Sequence, residues 1–118
     1  MNRWHVPDCY IPPRSSGGQP SHESICVLND SSQDAHLTLT AYFADREPER
    51  SAPVLVPARR DLHLRTAIPE QVGGLRLQPD VPYGIVVESE ADLKVQYSRL
   101  DTTQPAYTLM TALLPSHN

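Results

Sequence analysis

The chain has 118 residues, a mass of 13.1 kDa and a net charge of −4, which is enough for one domain, here residues 1–118, with a core of its own. Its 12 prolines, spread along the whole length, exclude long helices and leave short strands joined by turns. A pI near 5.6 argues against a basic nucleic-acid-binding domain, so DNA contact would have to use a local pair such as Arg59-Arg60.

The opening MNRWHVPDCY has no apolar h-region, and the longest apolar run is Tyr83-Gly84-Ile85-Val86-Val87. A soluble, cytoplasmic protein is expected, with Cys9 and Cys26 as reduced thiols. Trp4 to Ile11 reads as a first strand, stopped by Pro12-Pro13. Residues 14–21 (RSSGGQPS) read as a loop and 22–29 (HESICVLN) as a second strand ending in a turn at Asn29-Asp30-Ser31-Ser32.

Residues 35–43 alternate most clearly. Leu37, Leu39, Ala41 and Phe43 fall on one face, and His36, Thr38, Thr40 and Tyr42 on the other. A charged connection (44–52) leads to PVLVP at 53–57, a proline-bracketed edge strand. In residues 59–65 Leu62 and Leu64 oppose Asp61, His63 and Arg65. The proline- and glycine-rich segment 66–82 reads as a long loop pinned by Val72, Leu75 and Leu77. Residues 83–89 and 93–100 predict an antiparallel hairpin, and 107–114 a last strand, followed by a fraying PSHN tail. Seven or eight short strands at this spacing predict an all-β fold, an antiparallel β-sandwich or jelly-roll-like barrel.

No G-x-S-x-G, phosphate-binding loop or G-x-G-x-x-G is present, and the five histidines lack metal-ligand spacing, so no metal and no cofactor are expected. The two cysteines read as small buried hydrophobes. Nine of the ten basic residues are Arg, a side chain that offers directional donors to carboxylates, phosphates and hydroxyls. The polar residues His22, Glu23, Arg46, Glu47, Arg59, Arg60, His63, Arg65, Arg99 and Asp101 gather at strand ends. They describe either a solvated face of weak ion pairs or a concave pocket for a small polar ligand.

Ordered motifs then carry a resemblance. Tyr10-Ile11-Pro12-Pro13 leads to Ser21-His22-Glu23 with Cys26, Leu28 and Asn29, then to Asp34-Ala35-His36 and Asp45-Arg46-Glu47-Pro48. Val56-Pro57-Ala58-Arg59-Arg60 with His63 and Arg65 follows, and Val95-Gln96-Tyr97-Ser98-Arg99-Leu100-Asp101 closes the series. Over nearly its whole length the chain resembles the sensory rhodopsin transducer family. The resemblance implies a β-sandwich subunit in a homo-oligomer, typically a tetramer, that binds a sugar or small anionic metabolite without catalysis. His22, Glu23, Arg46, Arg59, His63, Arg65, Arg99 and Asp101 are the ligand-site candidates it carries over. The second reading it implies is a signalling adaptor for a membrane sensory rhodopsin, with a transcriptional role open. An enzyme using His22 or His63 as base ranks third. Cys9 departs from the small Gly expected before Tyr10, which questions the local turn geometry.

Overall fold

The computed structural model describes residues 1–118, with nine strands: β1 (Asn2–Cys9), β2 (His22–Asn29), β3 (Ala35–Tyr42), β4 (Glu49–Arg50), β5 (Val54–Val56), β6 (Arg60–Arg65), β7 (Tyr83–Ser89), β8 (Lys94–Asp101) and β9 (Thr108–Leu113). They form two antiparallel sheets, as predicted. The first has the order β1-β7-β3-β4, with β5 following β4 along β3; the second runs β6-β2-β8-β9. No helix is long and apolar enough to cross a membrane.

Period-two alternation sets the inward faces. Leu37, Leu39 and Ala41 of β3, Ile85 and Val87 of β7, and Trp4 and Val6 of β1 meet Ile25 and Val27 of β2 and Val95 and Tyr97 of β8. Val72, Leu75 and Leu77 are buried and pin the 66–82 segment as expected. One short 3-10 turn, Pro69–Gln71, interrupts that segment. Gly73 sits at φ +62°, and a Cβ there would lie 2.3 Å from the Ala52 carbonyl oxygen, so the approach of the two segments requires glycine.

Three expectations are corrected. Residues 83–101 do not form a hairpin: β7 pairs with β1 and β3, while β8 pairs with β2 and β9. The link between them is an arch from one sheet to the other. Its ends, Ser89 and Leu93, are buried, and Ser89 Oγ donates to the His36 carbonyl at 2.6 Å, so the arch is anchored at both ends while Glu90 and Asp92 stand in solvent. The charged connection contains the two-residue strand β4, paired with Thr40 and Ala41. The tail does not fray as a whole, because Arg3 and His117 exchange backbone hydrogen bonds of 2.7 and 2.8 Å. This pairing satisfies groups that the free edge of β1 would leave open. Cys9 has no left-handed backbone; the pairing of β1 with β7 instead slips between Val6 and Cys9 and delivers the thiol into the core.

Candidate functional site

Glu23 lies on the inward row of β2 with Ile25 and Val27, and it is fully buried. Its position follows from alternation with His22, but a carboxylate there needs donors. Four supply them. Tyr83 Oη from the first sheet and Thr66 Oγ1 donate to Glu23 Oε1; Tyr97 Oη from the second sheet and the Tyr10 backbone N–H donate to Oε2, the last at 2.9 Å. Every partner is a donor, which matches the acceptor-only chemistry of an ionised carboxylate. Burial, with the Glu23 charge and hydrogen bonds, holds the Tyr83 and Tyr97 hydroxyls well above the ordinary tyrosine range. Burial, then the Glu23 charge, likewise pushes up the Cys9 thiol.

This cluster fixes the chain as it leaves β1. Tyr10 Oη donates to Asp80 at 2.5 Å, and the Asp80 N–H returns to the Ile11 carbonyl at 2.9 Å. Opposite, Thr102 is buried and receives Ser21: its N–H donates to Ser21 Oγ at 2.9 Å. Between these two anchored segments opens a cavity of about 400 Å³, lined by Asp8, Tyr10, Arg14, Arg99, Asp101 and Thr103 with two prolines. Its size is that of a small-molecule site, although its wall is polar rather than apolar. Arg99 is mostly covered and lies 3.6 Å from Asp8. Hydrogen bonds from the Thr103 hydroxyl and N–H hold Asp101 below the usual carboxylate range, with Arg99 adding its charge. The mouth thus offers guanidinium donors beside carboxylate acceptors, the set that a polyol or a small zwitterion or anion requires.

The eight predicted ligand residues are not gathered in one pocket. Arg99 and Asp101 line the mouth, and Glu23 lies in the core, joined to it through Tyr10. His63 stands on the outer face of the second sheet, 3.0 Å from Asp61, with both side chains well exposed. With Ser24, Cys26, Gln96 and Ser98 these two line a hollow of about 510 Å³. Partial burial, then the Asp61 charge, raises the Cys26 thiol there. Arg65, opposite Ser24, and His22, opposite Leu100, share that outer face; Arg65 Nε and His22 Nδ1 are closed to solvent without a hydrogen-bond partner. Arg59 occupies an exposed turn at the other end of β2, in left-handed conformation at φ 58°. Strand rise puts that turn roughly 20 Å from the Arg99 end. Arg46 stacks 3.7 Å above the Phe43 ring and lines a separate cavity. Asp8, Arg14, Tyr10 and Thr103 are the mouth residues absent from the predicted set. The rigid Tyr10-Ile11-Pro12-Pro13-Arg14 exit from a strand is the signal that could have pointed to them.

A family model described as Anabaena sensory rhodopsin transducer matches residues 1–114. A solved structure of Thermotoga maritima 1070 superposes with a TM-score of 0.82 at 34% identity, covering 97% of this chain and 92% of that one. A solved structure of the Anabaena sensory rhodopsin transducer gives 0.71 at 35% identity over 85% and 88% of the two chains. No curated protein matches.

Proposed function

The chain belongs to the Anabaena sensory rhodopsin transducer family, and we propose that it is a non-enzymatic relay subunit whose input is a small polar ligand taken at the Arg14–Arg99–Asp101 mouth. Family membership gives more weight to the relay role, which the sequence places second, than to ligand binding alone. The ligand part rests on one observation: two arginines and two aspartates surround a single cavity of about 400 Å³ between two anchored segments. A sugar or small anionic metabolite fits that chemistry.

The test is a thermal-shift panel of sugars and organic acids, followed by calorimetry on two variants that the fold separates. Arg99→Ala should weaken a hit roughly ten- to a hundredfold. His63→Ala, on the outer face, should leave it unchanged. A hit indifferent to Arg99→Ala would place the ligand elsewhere.

Two parts of the reading concern partners. Assembly into a homo-oligomer, a tetramer by family resemblance, is supported by β9, whose six residues are all exposed, with Leu109 and Leu113 at 67% and 71%. Coupling to a membrane sensory rhodopsin from the cytoplasmic side is favoured by the likeness to the Anabaena transducer. Co-sedimentation with membranes carrying such a rhodopsin, in light and in dark, tests it; equal sedimentation with rhodopsin-free membranes would refute it. DNA binding is the weakest reading, since Arg59 and Arg60 form only a small basic turn on a chain of net charge −4.

A further inference from the structure

A second cavity, of about 680 Å³, opens away from the mouth, and its wall holds Arg46, Arg50 and Arg76 against one carboxylate, Glu49. In a chain with four more negative than positive charges this is a local reversal of sign. The three arginines come from two segments, Arg46 and Arg50 from the connection after β3 and Arg76 from the one before β7. Arg46 is braced on the Phe43 ring, with its guanidinium 3.7 Å from the ring centre, and lies 3.6 Å from Asp45. Arg50 stands on β4, where it donates to Thr38 Oγ1 at 3.2 Å and lies 3.5 Å from Glu88. Arg76 projects between buried Leu75 and Leu77, on the segment that Gly73 ties to Ala52 through a 2.9 Å backbone hydrogen bond. Arg76 itself has no carboxylate within ion-pairing distance, so its charge is uncompensated. Gly74 adds no side chain and has open space where a Cβ would stand, which leaves backbone accessible at the cavity wall.

We propose that this cavity is an anion site for the phosphate group of a small phosphorylated ligand. Arg46 and Arg50 each keep one carboxylate contact outside the wall, at 3.6 and 3.5 Å, and Arg76 has none, so the three guanidinium forks present free N–H donors and one uncompensated charge to a phosphate monoester, which carries a nearly double negative charge near neutral pH. Planar guanidinium forks bind phosphate oxygens in pairs, a geometry that lysine does not offer. This site is independent of the mouth: the two cavities share no lining residue.

Calorimetry with inorganic phosphate, glucose 6-phosphate and glucose tests the assignment and distinguishes free phosphate from a phosphorylated sugar. Both phosphates should bind, the sugar phosphate more tightly if the cavity also takes the sugar, and glucose should not bind at this site. Arg76→Gln and Arg46→Gln should each weaken phosphate binding roughly tenfold. Arg60→Gln on the distant turn should leave it unchanged. Circular dichroism of each variant confirms that the fold is retained. The proposal is overturned by an absence of phosphate binding, by equal loss in Arg60→Gln, which would mean diffuse charge attraction, or by loss confined to Arg99→Ala. Binding of a short DNA duplex at this site without binding of either phosphate would overturn it as well.

Discussion

Glu23 occupies a position that alternation assigns to an apolar residue, and the fold answers with donors from both sheets and two connecting segments. Both carboxylate oxygens are engaged, so an amide in place of one oxygen removes the charge to which the hydroxyls donate, and forces the hydroxyls on its side to turn and accept or meets the Tyr10 N–H donor to donor. Glu23→Gln should destabilise the chain by about 2–3 kcal/mol, read as a lower urea midpoint with unchanged slope; a midpoint equal to wild type would contradict the account. The same cluster predicts alkaline sensitivity. Tyr83 and Tyr97 are held neutral beyond the ordinary value of 10.0, and Cys9 beyond 9.0, whereas in the unfolded chain they ionise near those values. Above that range the folded state binds more protons than the unfolded one, so stability falls as pH rises. The melting temperature should begin to drop past pH ~9–10, and less steeply in Tyr97→Phe; a profile flat to pH ~11 would exclude the effect. The inward direction of Glu23 was legible in its parity with Ile25 and Val27. Its partners were not, because Tyr83 and Tyr97 lie on strands from opposite sheets and Thr66 on a connection.

Among the elements, β3 shows how far alternation reaches. Leu37, Leu39 and Ala41 are all buried, as their spacing requires. Pairing is harder to read. Two consecutive alternating strands with a short polar link satisfy a hairpin and an inter-sheet arch equally, and only their partners separate them: β7 pairs with β1 and β3, β8 with β2 and β9. Gly73 gives a prediction at this scale. Gly73→Ala combines a left-handed backbone with a clash at the Ala52 carbonyl, and should cost about 2 kcal/mol or more. Gly18→Ala, where a Cβ meets nothing within 4 Å, should be nearly neutral; similar losses at both positions in chemical denaturation would refute the distinction. The strand β9 gives another. Leu109→Ser with Leu113→Ser should keep the monomer fold, since both side chains stand in solvent, and should dissociate the homo-oligomer in light scattering. A monomeric wild type at micromolar concentration would remove the basis for this prediction.

The whole molecule places the mouth where β1 leaves one sheet and β8 ends in the other. Arg99 and Asp101 were legible as strand-end polar residues on one face. Asp8 and Arg14 were not: the slip between Val6 and Cys9 resets the phase of β1, so counting in twos from Trp4 points Asp8 inward, whereas its side chain is 82% exposed. The other candidates scatter because β2 is long enough to hold Arg59 and Arg99 at its opposite ends, and because His63 and Arg65 share the outward parity of Ser24. The most direct test of the mouth as the ligand site is amide chemical-shift mapping of the best thermal-shift hit. The account predicts that the signals of Tyr10, Arg14, Asp101 and Thr103 move on titration while those of Ser24, Cys26 and His63 stay in place. Movement confined to Ser24, Cys26 and His63 would contradict it.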